Sequence, residues 1–129
     1  MTAQVVTITE PVRIGSGVDK ISWDWASTDG GAVVGSASTD YYTGIIACIE
    51  MIPDAATTTP TAAYTLTLKD DNGVDLLHGL GVGSATATAT VAKVFGDGLG
   101  IAVNTKLTMA VAAAGDAKGG ILNVYILPL

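Results

Sequence analysis

The chain has 129 residues, and its 12 Asp and Glu against 6 Lys and Arg give a formal net charge of −6 at pH 7. A single domain spanning residues 1–129 is large enough to fold without disulfides, and the lone Cys48 excludes an intramolecular one. The acidic balance and the single Arg argue against binding to nucleic acid or to an anionic membrane surface.

Residues 1–11 predict an extended N-terminal arm. Within it, Gln4 to Thr9 favours a short strand, because Val, Ile and Thr are strong strand formers, and Pro11 ends it. The start of the chain lacks the basic and apolar regions of a signal peptide, and no stretch approaches the roughly 18 apolar residues of a membrane span. Together with the single cysteine, this is consistent with synthesis in a reducing cytoplasm.

Asp19 to Trp25 alternates apolar and polar residues, which predicts a half-buried strand with Ile21, Trp23 and Trp25 on one face. The two tryptophans could form an aromatic platform for a sugar. Because they share a face with Ile21, core packing is the favoured interpretation. A short edge strand is predicted at Ala32 to Val34.

Tyr41 to Ile52 predicts a strand that is apolar on both faces, with Glu50 interrupting one face near its end, and Pro53 ends it. Such a strand lies in the centre of a sheet, or another chain covers its second face. Strict alternation places Ile45, Ile49 and Met51 on one face and Ile46, Cys48 and Ile52 on the other.

Tyr64 to Leu77 predicts a β-hairpin with a three-residue loop, Asp71 to Gly73, and a left-handed Gly73 in a G1 bulge. A two-residue turn at Asn72 and Gly73 would instead place two carboxylates opposite each other on the core face, which is costly. The favoured register pairs Leu68 with Leu76 and Lys69 with Asp75, and it points Val74 and Leu76 inwards.

The remaining strands are predicted at Ala85 to Thr90, where repeated Thr disfavours the alternative of a short helix, and in a terminal hairpin. In that hairpin Lys106 to Ala112 pairs with Gly120 to Leu127. Alternation places Asn123 and Tyr125 outside and the apolar residues inside: Leu107, Met109, Val111, Leu122, Val124 and Ile126. With 16 glycines and one phenylalanine the chain has many turn residues and no convincing helix. The sequence therefore predicts an all-β fold of about eight strands, an antiparallel β-sandwich resembling a jelly roll.

Residues with catalytic or metal-binding chemistry are few. His78 is the only histidine and has no nucleophile context, so a structural role at the sheet rim is favoured. The carboxylates of the Asp70 to Asp75 segment lack the spacing of a calcium loop, which favours a solvated turn. No catalytic, cofactor-binding or metal-binding residue is predicted, and the chain is not expected to be an enzyme.

Three segments together resemble a known family: Lys20 to Trp25, Pro60 to Leu77 with its Tyr-x-Leu-x-Leu-x-Asp pattern, and Lys106 to Gly120. Their order resembles the capsid decoration, or cement, proteins of tailed bacteriophages, over about residues 20 to 127. The resemblance implies a β-sandwich or jelly-roll structural protein, commonly a homotrimer, without catalytic residues or cofactors. It implies the major capsid protein as partner and the capsid surface of the virion as location, after synthesis in the host cytoplasm.

Candidate contacts with the capsid or with other copies follow from the apolar residues of the arm, of the two-sided strand and of the chain end. A phage tail or fibre β-domain and a carbohydrate-binding β-sandwich remain as alternative functions. The candidate contact residues are Val5, Val6, Ile8, Tyr41, Tyr42, Ile45, Leu127 and Leu129.

Overall fold

The structure is a computed structural model that describes residues 4–10, 17–54, 58, 60, 64–77, 91–93 and 101–128. These residues form nine β-strands in two antiparallel sheets. The strands are Val5–Thr9 (β1), Asp19–Ala26 (β2), Val33–Ala37 (β3), Tyr42–Pro53 (β4), Thr65–Lys69 (β5), Val91–Lys93 (β6), Ile101–Thr105 (β7), Thr108–Ala112 (β8) and Gly119–Pro128 (β9).

The large sheet has the order β1-β2-β9-β4, and β6 and β7 pair with the two halves of the remaining edge of β4. The small sheet has the order β3-β8-β5. From β2 onwards the described strands alternate between the sheets, with β6 and β7 together occupying one position in the large sheet. This alternation is the winding of a jelly roll, so the predicted all-β antiparallel sandwich is confirmed.

The tryptophans of β2 lie in the core between the sheets. Trp23 is 0% exposed and Trp25 is 2% exposed, so the alternation predicted for this strand is confirmed. Nε1 of Trp23 donates to the carbonyl of Ser36 at 3.2 Å and ties the large sheet to β3 of the small sheet. The Trp25 ring packs 5.6 Å from that of Tyr64. Rings buried in this way cannot stack on a sugar from solvent, so the aromatic platform is wrong.

The faces predicted for β4 are wrong in one half of the strand. The register of β4 against β9 shifts between Ile46 and Cys48, where Ala47 forms a bulge. Ile46, Ile49 and Met51 are therefore all buried in the core. A bulge exchanges the two faces beyond it, because side chains alternate with a period of two. β4 is a central strand, flanked by β9 on one side and by β6 and β7 on the other.

The predicted terminal hairpin is also wrong. β8 lies in the small sheet between β3 and β5, whereas β9 lies in the large sheet between β2 and β4. The predicted inward residues are nevertheless buried, because alternation fixes which side chains share a face and does not fix the neighbouring strand. They are Leu107, Met109, Val111, Leu122, Val124 and Ile126.

The turn after β5 follows the predicted register at its base. Lys69 pairs with Asp75, and Gly73 is left-handed with a φ of 79°. Val74 is 51% exposed, so its predicted inward orientation is wrong. Oδ1 of Asp70 accepts hydrogen bonds from the backbone N–H groups of residues 72 and 74, and this Asx-type turn holds Val74 on the outside.

Three predictions lie outside the described residues. They concern the rim position of His78, the strand at Ala85 to Thr90, and the contact at Leu129.

Gly44 is expected to be essential for the pairing of β4 with β9. A Cβ at this position would overlap the carbonyl oxygen of Leu127, so Gly44→Ala should lower the free energy of unfolding by about 2–3 kcal/mol. Urea denaturation measures this change. In the control variant Gly30→Ala the new Cβ would lie 3.7 Å from Oγ1 of Thr28, an ordinary contact. Equal stabilities of the two variants would contradict the tight strand approach.

Candidate functional site

The predicted N-terminal arm is a paired strand over residues 5–9. β1 pairs with β2 at five consecutive positions, from Val5 opposite Ala26 to Thr9 opposite Ser22. The side chains of Val6 and Ile8 pack against the core, whereas Val5 is 62% exposed. Only Val5 of the three candidate contacts in this strand therefore presents most of its surface to a partner.

The start of β1 is attached to the small sheet by Gln4. Nε2 of Gln4 donates to the carbonyl of Val34 at 3.2 Å, and Oε1 accepts from the N–H of Val34 at 2.7 Å. The side-chain amide thus makes the pair of bonds that a neighbouring strand would make with the edge of β3. Gln4 thereby links the edge strand β1 of the large sheet to the edge strand β3 of the small sheet.

Glu10 attaches the other end of β1. Its carboxylate accepts hydrogen bonds from the N–H groups of Thr39 and Asp40, each at 3.1 Å, and from the Tyr42 hydroxyl at 2.7 Å. Partial burial raises the pKa of Glu10, but the bonds from Tyr42, Asp40 and Thr39 outweigh it, so the pKa lies below its ordinary value. β1 is therefore fixed at both ends by side chains.

The two tyrosines at the start of β4 have different environments. Tyr42 is 0% exposed, so its side chain is not available to a partner and it is removed from the candidate contacts. Tyr41 is 57% exposed, and Nζ of Lys106 lies 5.7 Å from the centroid of its ring. A hydrogen bond with Asp71 raises the pKa of Tyr41.

The other candidate contacts lie on the outer face of the large sheet, the face turned away from the small sheet. A row of hydrogen-bonded polar side chains, here called the polar belt, crosses its centre. Oγ of Ser22 donates to Oδ1 of Asn123 at 2.6 Å, and Nδ2 of Asn123 contacts Oε1 of Glu50 at 3.4 Å. The Tyr125 hydroxyl donates to the same oxygen at 2.5 Å. Nζ of Lys20 lies 5.8 Å from the centroid of the Tyr125 ring.

Apolar pairs border the polar belt on both sides. Ile52 pairs with Ile121 on one side, and Ile45 pairs with Leu127 on the other. Leu127 is 45% exposed, and the three isoleucines are partly buried. The structure thus places Ile45 and Leu127 together, as neighbours on one sheet face, whereas Val5 lies near the opposite end of that face.

Carboxylates on this face raise the pKa values of neighbouring groups. The hydrogen bond with Glu50 raises the pKa of Tyr125 to about 12, so the phenol stays protonated and keeps donating. Burial first, and the charge of Glu50 second, raise the pKa of the Cys48 thiol, which therefore is a poor nucleophile. Asp54 follows the end of β4 that carries Ile52. Partial burial and the nearby charge of Asp24 raise the pKa of Asp54.

The described residues form no other feature with the size or composition of a binding site. A cleft of about 100 Å³ lies between the Asp70–Asn72 turn and β7, well below the roughly 300 Å³ of a typical ligand site. Within the described ranges, no three His, Cys, Asp or Glu residues are grouped so as to hold a metal ion. In the same part of the chain, no helix has the length and apolar character to cross a membrane.

Comparison with known proteins gives no assignment: no protein-family model, curated protein or solved structure matches this chain.

The sequence indicated members of the polar belt as separate residues and did not predict that they contact each other. Glu50 was evident as an interruption of an apolar face, and Asn123 and Tyr125 were expected to face outwards. Their meeting depends on the pairing of β4 with β9, strands about 70 residues apart in sequence, and on the bulge between Ile46 and Cys48. Local periodicity contains neither piece of information.

Glu10 is expected to make stability depend on pH. Its pKa in the folded chain lies below the ordinary value of 4.5, so the ionised carboxylate stabilises the fold above that value. This contribution is lost as the pH falls through the lower folded-state pKa. Glu10→Ala should reduce the free energy of unfolding by about 1–2 kcal/mol near neutral pH, because it removes the carboxylate that accepts from the Tyr42 hydroxyl and from the N–H groups of Thr39 and Asp40.

Urea denaturation at about pH 7 and about pH 3 measures the free energy of unfolding of Glu10→Ala and of the wild type. The difference between the two free energies should be smaller at the lower pH. Asp29→Asn, in the exposed turn after β2, is the control and should change stability little at either pH. A difference that stays constant between the two pH values would contradict the role of the ionised carboxylate.

Proposed function

We propose that this chain is a non-enzymatic structural protein of a tailed-phage virion, which binds the outer surface of the capsid and stabilises it. The observation that carries the proposal is the outer face of the large sheet, where exposed Leu127 and partly buried isoleucines border a hydrogen-bonded polar belt on two sides. Protein interfaces combine apolar contacts with fixed polar groups in this way. The face has the character of a surface for binding another protein.

The resemblance to capsid decoration proteins supports the same proposal. The segment Lys20–Trp25 forms most of β2, the repeating part of Tyr64–Leu77 forms β5 and its turn, and the segment after Lys106 forms β8 and the start of β9. These are elements of both sheets. The segments that carry the resemblance therefore make up much of the sandwich itself.

The proposed partner is the major capsid protein, and the proposed location is the capsid surface of the virion. A homotrimer is proposed from the resemblance, with Tyr41, Val5 and Leu127 as exposed residues available for contacts with the capsid or with other copies. Leu127 and Ile45 are neighbours, so one partner surface can cover both. The carbohydrate-binding alternative loses its sugar platform, because both tryptophans are buried.

Binding to capsid shells tests the proposal. Shells assembled from the major capsid protein of the same phage should co-sediment with the purified chain, and Val5→Asp should weaken binding by about tenfold or more. Val34→Asp is the matched control, since Val34 is 72% exposed on β3 of the small sheet. Gold-labelled antibodies should mark the heads of intact virions.

No co-sedimentation of the wild-type chain would overturn the proposal. Gold labels on tails or fibres would replace it with the alternative of a tail or fibre β-domain. Light scattering of the free chain tests the trimer, for which the measured mass should be about three times that of one chain.

A further inference from the structure

The Glu50 carboxylate is held in position by its neighbours on the polar belt. Oε1 accepts from the Tyr125 hydroxyl at 2.5 Å and contacts Nδ2 of Asn123 at 3.4 Å, and Asn123 is in turn fixed by the 2.6 Å bond from Ser22. Within the described part of the chain, Oε2 of Glu50 has no hydrogen-bond partner. The carboxylate therefore offers a fixed acceptor at a partly exposed position of the sheet face.

The charges around this acceptor are mostly negative. Asp24 is exposed on the same face, and Asp54 lies close enough for the charge of Asp24 to raise its pKa. The described cation on the face is Lys20, and its ammonium group lies over the Tyr125 ring. Three carboxylates against one ammonium favour a partner that brings positive charge.

The size of the face also restricts the partner. From Ile121 to Leu127 the strands span about 20 Å, and five strand positions span about 19 Å across. The footprint is thus about 400 Å², or roughly half of the 800 Å² per partner that a stable standard interface buries. A face of this size binds firmly when linked copies, such as the subunits of the proposed homotrimer, attach together to one large array, because multivalency adds to weak single contacts.

We infer that the outer face of the large sheet docks a protein surface that presents an Arg or Lys side chain to Glu50, with aliphatic side chains on both sides of that cation. The inference rests on the proposed function, in which the partner is the capsid shell. The pair Ile52–Ile121 lies about 7 Å from the centre of the belt, and Ile45–Leu127 lies about 13 Å away on the other side. An interface with a central charged anchor and apolar surroundings matches these spacings.

A second copy of the chain is a poorer occupant of the same face. Two copies related by a twofold axis would bring two sets of Asp24, Glu50 and Asp54 together, and like charges across an interface weaken binding. The footprint alone is also smaller than a stable free dimer requires. A cationic surface on an extended array meets neither difficulty.

Binding of the full chain to capsid shells tests the inference, with the charge and the apolar contacts of the outer face varied separately. Glu50→Gln keeps the acceptor and shape but removes the charge, and it should weaken binding by at least about tenfold. Asp29→Asn is the control, an exposed carboxylate in the turn after β2, and should stay within about twofold of the wild type. Added salt should weaken wild-type binding more than that of Glu50→Gln, a difference that a merely structural loss would not produce.

The contribution of the apolar residues that border the polar belt is tested in the same binding assay. Ile52→Thr combined with Ile121→Thr should weaken binding by about tenfold, because Thr keeps the strand but removes apolar contact area. Val34→Thr on the small sheet is the control. Thermal melting of each variant confirms that it is folded at the temperature of the assay.

Each outcome bears on the inference. If the wild-type chain binds shells and both the Glu50 and the isoleucine variants bind equally well, the inference falls and the proposed function stands. If the wild-type chain does not bind shells, both fall. If the isoleucine variant instead abolishes a self-association of the free chain, the face belongs to a second copy and the inference is overturned.

Discussion

The pairing of β4 with β9, with its bulge at Ala47, is the constraint on which the rest of the structure depends. Before the bulge, Tyr42 and Ile46 point into the core; after it, Ile49 and Met51 do. Strict alternation would have placed the even-numbered residues Cys48 and Glu50 in the core with Ile46. A buried unpaired carboxylate is far more costly than one unpaired residue in a strand, so the bulge keeps the core apolar.

The same bulge creates the candidate docking surface. It brings Glu50 opposite Asn123 and Ile52 opposite Ile121, on the face that points away from the small sheet. Asn123 and Tyr125 then satisfy one oxygen of the carboxylate. A feature that protects the core therefore also sets the position of a fixed, partly exposed negative charge. Core packing and the proposed interaction depend on the same local distortion of one strand.

The sequence predicted what is local. Alternation alone identified the buried faces of β2, β8 and β9, and the left-handed Gly73 after Asp71 and Asn72 identified the turn. These features depend on side chains within a few residues of each other. The bulge in β4 was not predictable in this way, since an apolar strand shows no loss of alternation when one extra small residue such as Ala47 is inserted.

The non-local features required the structure. β8 and β9 follow one another in sequence but lie in different sheets, because jelly-roll winding pairs each with distant strands. Gln4 and Glu10 seemed to be ordinary polar residues of an arm, yet their bonds to Val34 and to Tyr42 span 30 residues or more. Burial likewise required the structure: of the described candidate contacts, Val5, Tyr41 and Leu127 are exposed and Tyr42 is buried, and the others are partly buried.

A density map of capsid shells decorated with the wild-type chain, obtained by electron cryomicroscopy, tests the central claim most directly. The account predicts that the outer face of the large sheet is turned towards the shell, with an Arg or Lys side chain of the capsid protein within hydrogen-bond distance of Glu50. A bound chain whose polar belt faces solvent, with the small sheet against the shell, would contradict it.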